Sequence, residues 1–399
     1  MGWLGLDDTD SLAGGCTTKV MEELLQNLPP EIIVGEVRLV RLWPFASGRT
    51  RGNAALGVEL QCDNVEELIA HLDQWWANEI VNLKGLISPS HHSDRPQVPS
   101  DPGMVWFDEQ PDESLYWAAV QSHVDIDEVP QATKSWGGYG MIGATAAIAW
   151  RENCATWEAI AWRAEVLASE PRKVCSTRLN EIDAWEDTFL SRDPRSGASL
   201  IAPRGLSPVL CGIRATTREG AAKALEFLLE SKETEASVGC RTFKTNQASG
   251  DHLPPSSLAV VQEVVVDSSR KHARIITSKG EWIAFGEGGP VNQLARWLQV
   301  GDSVEMRGLQ HTDGSHHLEQ LRVVAWNARK KQRPQCSECG QRMKSMGRNQ
   351  GLRCPSCKIR CEDKWDDVPS QPPFSGWVEP PASSRRHLSR PLSWPENRA

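Results

Sequence analysis

The sequence predicts a multidomain α/β protein whose C-terminal part contains a small β-barrel and a zinc ribbon. Its 399 residues exceed what one hydrophobic core usually holds. Before residue 255, apolar segments alternate between strand and helix periodicities, which is typical of an α/β fold. Five short strand-like segments then follow, and two Cys-x-x-Cys pairs come after them. These observations divide the chain into an α/β part, a barrel and a metal-binding ribbon.

Strand and helix signals follow one another closely in the N-terminal half. The predicted strands are 3–6, 32–42 and 54–60, and the predicted helices are 17–28, 65–76, 116–123 and 144–150. Residues 88–102 are rich in Pro, Ser, His and Asp, so a loop is expected there.

A β-α-β unit is predicted after this half, with a strand at 208–214, a helix at 217–231 and a strand at 238–245. This unit is half of a ferredoxin-like fold. The Pro-Pro pair at 254 and 255 marks a domain border.

The segments after this border predict a closed barrel of the OB type, because many short strands are separated by Gly-Asp turns. The five strands are 258–266, 272–278, 281–285, 301–308 and 317–326.

Charge is distributed unevenly along the chain. The net charge is −8, yet residues 329–360 contain ten basic residues and one acidic one, Glu338. A local basic patch on an acidic protein indicates RNA contact better than the overall charge does. No apolar run reaches the roughly 18 residues of a membrane span. The N-terminus lacks the pattern of a signal peptide, so a cytoplasmic protein without membrane contact is expected.

Four cysteines have the spacing of a structural zinc site, namely Cys336, Cys339, Cys354 and Cys357. Four protein thiolates leave no open coordination position, so the predicted Zn²⁺ is structural. Free thiols or a redox pair are the alternatives. Basic side chains within this ribbon are predicted to contact the phosphate backbone of RNA; these are Arg342, Lys344, Arg348 and Arg353. A ribbon that is merely solvated is the alternative here.

An acidic loop directly follows the first predicted strand and contains Asp7, Asp8 and Asp10. Crowded carboxylates repel one another, and Mg²⁺ relieves that repulsion while bridging carboxylates to nucleotide phosphates. The alternative is a solvated loop that caps a helix.

Two neighbouring features favour a nucleotide site. Gly15 to Lys19 open a helix whose free N–H groups can receive a phosphate, and Arg49 and Arg51 can clamp phosphates from the next turn. The pattern Gly138-x-Gly140-x-x-Gly143 has no apolar strand before it, so a glycine-rich turn is favoured over a dinucleotide site. GxxxxGK[ST] and SGGxDS motifs are absent from the sequence, which predicts a less common ATP scaffold.

Nine motifs, in one order along the whole chain, resemble those of the archaeal tRNA(Ile) 2-agmatinylcytidine synthetases. They are GLDDTDS (5–11), CTT (16–18), TRGN (50–53), PGMVW (102–106), PVLCGIR (208–214), FKTNQASGDHL (243–253), GDSVEMRG (301–308), CSECGQRMKSMGRNQGLRCPSC (336–357) and RRHLSRPL (385–392). The N-terminal DDTDS together with RMKSMGRNQG in the ribbon is highly specific. Where the family has F-N-x-D, this chain has Leu190 in place of the Asn, and Asp193 lies in an altered register; Ala215 replaces the last Gly of GIRG.

The resemblance implies an enzyme that uses ATP to join agmatine to C2 of the wobble cytidine in tRNA(Ile) with a CAU anticodon. The C2 oxygen is activated by phosphorylation, agmatine displaces it, and ATP ends as AMP and two phosphates. A threonine of CTT is phosphorylated, which implies Thr17, with its neighbour Thr18 as the alternative.

The resemblance also names the domains. It implies a kinase-like ATP domain, a ferredoxin-like domain, an OB-fold, a zinc ribbon and a tail. Their predicted limits are 1–205, 206–255 (completed by earlier segments), 256–328, 329–363 and 364–399.

The chemistry assigns further candidates. Asp7, Asp8 and Asp10 would hold Mg²⁺ on the transferring phosphoryl group. Agmatine is a dication that needs a carboxylate partner and a base, for which Asp193, Asp251 and His252 are candidates. The predicted pocket for the splayed cytidine contains the amide-bearing segment Thr245, Asn246 and Gln247. A noncatalytic RNA-binding protein and a kinase for another substrate are the alternative functions.

Overall fold

The computed structural model describes residues 1–11, 14–46, 48, 53–86, 98–203, 205–368 and 370–395. The chain divides into two compact units. The first contains residues 1–255, 309–314 and 381–399, and the second contains residues 256–308 and 315–380.

The described part of the first unit forms a mixed sheet of nine strands. The strands are β1 (Gly2–Asp7), β2 (Ile33–Val34), β3 (Arg38–Arg41), β4 (Ala54–Gln61), β5 (Gly103–Phe107), β6 (Lys134–Gly137), β7 (Thr156–Trp162), β8 (Val209–Ala215) and β9 (Gly239–Thr245). Their order is β6-β5-β1-β4-β3-β9-β7-β8, with β2 paired to β4. Neighbours pair antiparallel except β3 and β9, which are parallel.

The α-helices described in this unit are α1 (Thr17–Asn27), α2 (Val65–Trp75), α3 (Ser114–Gln121), α4 (Gly140–Ala149), α5 (Ser176–Asp183) and α6 (Arg218–Leu229). Helix α2 starts at Asn64, whose side chain accepts hydrogen bonds from the N–H groups of Glu66 and Glu67. A π-helix at Trp76–Ile80 and a 3₁₀ turn at Val81–Leu83 continue it. Helix α4 is small and apolar on all sides, which suits its buried position against β1, β4 and β5.

Strand β7 and helix α5 were not predicted from the sequence. The strand TWEAIAW is buried along most of its length, so it lacks the alternation that reveals a half-exposed strand. It lies between β8 and β9 and pairs with both, so it completes the predicted β-α-β unit. The predicted strand 32–42 was wrong in its continuity. It is two short strands, β2 and β3, because the chain leaves β2 at Gly35, whose N–H bonds to the carbonyl of Glu59.

The second unit contains a closed five-stranded barrel, as predicted, with the order β10-β11-β12-β14-β13. The strands are β10 (Ser257–Val266), β11 (Ala273–Thr277), β12 (Gly280–Ala284), β13 (Ser303–Gln310) and β14 (His316–Ala325). Trp282, Val304 and Met306 are buried in its core. Helix α7 (Pro290–Trp297), which was not predicted, starts with Pro at its first position and buries Val291 and Leu294 on the same core.

The ribbon follows the barrel as short strands around the cysteine cluster. These are β15 (Lys330–Gln332), β16 (Lys344–Ser345), β17 (Leu352–Arg353), β18 (Arg360–Cys361) and β19 (Asp366–Val368). The strands β16, β17 and β18 form one antiparallel sheet, and β15 pairs with β19.

Candidate functional site

The acidic loop is fixed at the end of β1. The Asp7 carboxylate accepts a hydrogen bond of 2.7 Å from the N–H of Asp8, whose φ of 58° is left-handed. The Asp8 carboxylate accepts a hydrogen bond of 2.7 Å from the N–H of Asp101, at the start of β5. The two carboxylates therefore have defined positions on neighbouring strands.

This loop lies in the wall of a cavity of about 550 Å³. The lining residues come from the ends of β1, β3 and β5, from α3 and from the start of α4: Asp7, Asp8, Asp10, Leu42, Trp43, Ala46, Gly48, Asn53, Lys84, Gly85, Val98, Pro99, Ser100, Asp101, Ala119, Ser122, His123, Val124, Asp125, Tyr139, Gly140, Ile142 and Gly143. The three aspartates of the acidic loop and two glycines of the 138–143 motif thus meet at one concave site, which is the usual form of a ligand site.

Burial raises the pKa of Asp7 well above its ordinary value of 3.8, and the charges of Asp8 and Asp10 raise it further. Ionising this carboxyl group is therefore costly without a cation nearby. Among the described residues, however, only the ribbon cysteines bring three or more ligand atoms within 4.8 Å of one another. The aspartates fit a metal whose remaining ligands come with the nucleotide.

The glycine motif packs against protein carboxylates. A Cβ built on Gly138 would overlap the carboxylate of Asp101, and one built on Gly143 would overlap that of Asp7. The motif follows β6, an antiparallel edge strand, so it lacks the parallel β-α-β context of a dinucleotide site. The favoured interpretation, a tightly packed glycine turn, agrees with this geometry.

The start of α1 distinguishes the two threonines. The hydroxyl of Thr9, in the acidic loop, donates to that of Thr17 at 3.2 Å. The hydroxyl of Thr18 instead accepts from the indole N–H of Trp162 at 3.1 Å and contacts the sulfur of Cys16 at 2.9 Å. Thr17 is thus coupled to the acidic loop, and Thr18 to strand β7.

The remaining phosphate-binding candidates have mixed outcomes. Gly15 lies beside Asp10, while Lys19 makes ion pairs with Glu165 at 2.8 Å and Glu23 at 3.3 Å. Neither Gly15 nor Lys19 is among the described residues that line the cavity. Arg49 and Arg51 lie outside the described residues.

The predicted cytidine-binding segment is buried. Thr245, Asn246 and Gln247 are all 0% exposed. The amide of Asn246 bonds to both backbone groups of Arg41, accepting at 2.8 Å and donating at 2.9 Å. The amide of Gln247 donates to Glu158 and contacts His387 at 3.1 Å. These amides join β9 to β3 and to the C-terminal segment, and their role in cytidine binding stays a prediction.

The candidate agmatine-binding acids differ in environment. Asp251 accepts a hydrogen bond of 2.5 Å from the hydroxyl of Tyr116, and burial raises its pKa. His252 beside it is 0% exposed. Asp193 accepts from the N–H of Arg195 at 2.9 Å. Hydrogen bonds from Ser383 and Arg195 lower its pKa to about 2. Asp193 is therefore a committed turn carboxylate, and it is not among the described cavity residues.

The four ribbon cysteines converge as predicted. Their sulfur atoms lie within 4.8 Å of one another. A tetrahedral Zn²⁺ with Zn–S bonds of about 2.3 Å places sulfurs roughly 3.8 Å apart, so the cluster fits this ion. Cys361 contacts the sulfur of Met343 at 3.5 Å and does not belong to the cluster.

A row of exposed cations crosses the ribbon sheet. Lys344 pairs in register with Arg353, and Arg353 pairs with Arg360, which sequence reasoning missed. Because residues opposite one another in a sheet share a face, the three cations stand side by side. The other predicted cations, Arg342 and Arg348, are also exposed. Such a row repels itself and favours a polyanion.

Sequence reasoning also missed Asp101 and Lys84 in the cavity wall. Their carboxylate and ammonium groups form an ion pair of 2.7 Å. The available signal was an acidic residue directly before a strand, in the segment Asp101-Pro102-Gly103. Within the described part of the chain, no helix has the length and apolarity that a bilayer span needs.

Comparison with known proteins gives a consistent result along the chain. Three family models match: the TiaS TCKD domain at residues 3–140, the TiaS FLD domain at 138–252 and the TiaS C-terminal zinc ribbon domain at 333–367. Among curated relatives, the tRNA(Ile) 2-agmatinylcytidine synthetases TiaS of Methanosarcina acetivorans and Pyrobaculum neutrophilum are 30% and 31% identical. The alignments cover 98% of this chain and 96% and 93% of those proteins.

Solved structures agree with these matches. The crystal structure of apo TiaS has a TM-score of 0.78 at 28% identity and covers 98% of this chain and 97% of that one. A complex of TiaS with an isoleucine tRNA, AMPCPP and agmatine has a TM-score of 0.75 at 26% identity, covering 98% and 96%.

Proposed function

This chain belongs to the TiaS family of tRNA(Ile) 2-agmatinylcytidine synthetases, and we propose that it joins agmatine to C2 of the wobble cytidine of tRNA(Ile) with a CAU anticodon, using ATP. The observation that carries the proposal is end-to-end similarity to a protein whose complex contains an isoleucine tRNA, an ATP analogue and agmatine. The product would pair with A and so read AUA codons as isoleucine.

The chemistry requires that the C2 oxygen become a leaving group. We infer that ATP phosphorylates this oxygen, after which the agmatine amine forms the C2–N bond and the C2–O bond breaks with loss of phosphate. ATP would end as AMP and two phosphates. Mg²⁺, held by Asp7, Asp8 and Asp10, would neutralise charge on the transferring group. The Asp8–Asp101 hydrogen bond keeps one of these carboxylates oriented before the nucleotide binds.

Thr17 is our candidate for the phosphorylated residue, since its hydroxyl touches Thr9 of the acidic loop. Gly15, Lys19, Arg49 and Arg51 remain candidates for phosphate contacts.

For the substrates, we retain Thr245, Asn246, Gln247, Asp251 and His252 as candidates near cytidine and agmatine. Asp193 is the weakest catalytic candidate, because hydrogen bonds already satisfy its carboxylate.

The domain names are part of the same proposal. We infer a kinase-like domain in residues 1–205, a ferredoxin-like domain ending at 255, an OB-fold in 256–328, a zinc ribbon in 329–363 and a tail in 364–399. The parallel pairing of β12 with β14 in the barrel, through Trp282 and His316, supports the OB name. Work on tRNA assigns the protein to the cytoplasm.

One experiment tests the function. The purified protein is incubated with Mg-ATP, labelled agmatine and a CAU-anticodon transcript, and the digested RNA is searched for a labelled cytidine derivative. Label is expected only with ATP and not in a GAU-anticodon transcript. Asp8→Ala should abolish incorporation while tRNA affinity stays within a few fold.

The alternative functions give different results. A noncatalytic RNA-binding protein would bind the transcript without consuming ATP. A kinase for another substrate would transfer phosphate without incorporating agmatine. Label that appears without ATP, or equally in both transcripts, would contradict the proposed function.

A further inference from the structure

The cavity that contains the acidic loop has an unusual charge balance for a nucleotide site. Its described lining includes five carboxylates, those of Asp7, Asp8, Asp10, Asp101 and Asp125. Lys84 is the one lysine or arginine among the described lining residues. A triphosphate carries several negative charges, so carboxylates without counter-charges would repel it.

The backbone around Lys84 is held firmly. Lys84 follows the 3₁₀ turn at 81–83, and the next residue, Gly85, donates its N–H to the carbonyl of Ser100 at 2.7 Å. The hydroxyl of Ser100 accepts from the N–H of Leu86 at 3.2 Å and donates to the carbonyl of Leu83. Ser100 is only 1% exposed, so it forms a buried anchor that fixes residues 83–86 at the cavity wall.

The side chain of Lys84 is directed by Asp101. Its ammonium group lies 2.7 Å from the Asp101 carboxylate, yet 63% of the Lys84 side chain is exposed. The same carboxylate accepts the N–H of Tyr139 at 2.9 Å. Burial alone would raise the pKa of Asp101, but the hydrogen bonds from Lys84 and Tyr139 hold it below its ordinary value. Asp101 therefore stays ionised and keeps the cation at the cavity.

Exposed ion pairs of this kind add little to stability, so stability alone does not account for the arrangement. A lysine ammonium is a compact charge with three donors, which suits phosphate oxygens. The ion pair limits the conformations that the long side chain must give up on binding.

We propose that Lys84 binds the phosphates of the nucleotide and that Asp101 is its positioning residue. This rests on the proposed function, which places ATP in the cavity. On binding, the ammonium group exchanges part of its contact with Asp101 for a phosphate oxygen, while the Asp101 N–H continues to hold Asp8.

The test measures the Kd of Mg-ATP by calorimetry, without tRNA, for wild type, Lys84→Ala and Lys84→Arg. Lys134→Ala is the matched control, because Lys134 also pairs with an aspartate, Asp73 at 3.1 Å, but does not line the cavity. We expect Lys84→Ala to weaken ATP binding about tenfold, equivalent to about 1.4 kcal/mol. Lys84→Arg should stay within about threefold of wild type, and Lys134→Ala should not differ from it.

Steady-state kinetics separate a binding role from a structural one. In the complete reaction, Lys84→Ala should raise KM for ATP and leave KM for agmatine unchanged. An ATP Kd within twofold of wild type, an arginine variant no better than alanine, or an equal rise in both KM values would overturn the inference. A wild-type protein that binds ATP but incorporates no agmatine would instead refute the proposed function and leave the Lys84 result standing.

Discussion

The Oδ2 atom of Asp7 lies so close to the Cα atom of Gly143 that a Cβ built there would meet it well inside 3.0 Å. The carboxylate at the end of β1 is thus fitted against the first turn of α4, and no side chain can occupy that space without moving it. This contact links the acidic loop to the glycine motif, which are far apart in sequence.

Gly143→Ala is therefore expected to displace the Asp7 carboxylate. A shift of about 1 Å in a catalytic group can reduce the rate about 100-fold, so we predict a loss of that order in agmatine incorporation. Gly239→Ala is the control, because a Cβ there meets only ordinary contacts with Trp162 at 3.7 Å. Full activity of Gly143→Ala, with an unchanged thermal midpoint, would show that the position of Asp7 is not critical.

The two threonines of the CTT motif should behave differently. Thr17→Ala is predicted to abolish both labelling of the protein by radioactive ATP and agmatine incorporation, because its hydroxyl adjoins the acidic loop. Thr18→Val removes the acceptor for Trp162 and should lower the thermal midpoint while labelling continues. Mass spectrometry of the labelled peptide identifies the modified residue, and phosphate on Thr18 would reverse the assignment.

Asp193 gives a prediction about pH. Its folded-state pKa of about 2 lies below the ordinary value of 3.8, so the folded state binds fewer protons between these values. The stability that Asp193 contributes is therefore complete above about pH 5 and is lost as the pH falls through 2. Asp193→Ala should lower the thermal midpoint at pH 7, and its difference from wild type should shrink as the pH falls from 4 to 2. Normal midpoints with greatly reduced turnover would instead support a catalytic role.

The features that sequence reasoning predicted correctly are those whose determinants are local. The four cysteines are specified by short spacings, and the barrel strands by alternation along each strand. The partners of polar groups are not local. Asp8 is bound by Asp101, 93 positions away, and Asn246 by Arg41, 205 positions away.

The amides of Asn246 and Gln247 illustrate the consequence. Polar residues at a strand end are compatible with ligand binding or with a buried network, and only the fold shows that protein groups satisfy them here. Strand β7 escaped prediction for a related reason, since a strand buried on both faces has no alternating pattern.

The zinc cluster should be separable from the nearby Cys361. Cys336→Ser removes one of four converging ligands and is predicted to reduce zinc content well below one ion per chain and to weaken tRNA binding. Cys361→Ser is the matched control, because its sulfur contacts Met343 outside the cluster. It should retain one zinc and wild-type affinity. Equal zinc loss in both variants would contradict the assignment of the four ligands.

The cation row on the ribbon sheet predicts a salt effect. Arg353 stands between Lys344 and Arg360, and like charges side by side destabilise a sheet, so Arg353→Ala should not lower the thermal midpoint. If Arg353 contacts a phosphate, the variant should bind tRNA more weakly, and the slope of log K against log salt concentration should decrease by about 1. The loss should be equal for CAU and GAU transcripts, because phosphates carry no sequence information. Arg333→Gln serves as the control, since Asp363 already neutralises Arg333. An unchanged slope for Arg353→Ala, or a loss confined to the CAU transcript, would exclude a backbone contact at this position.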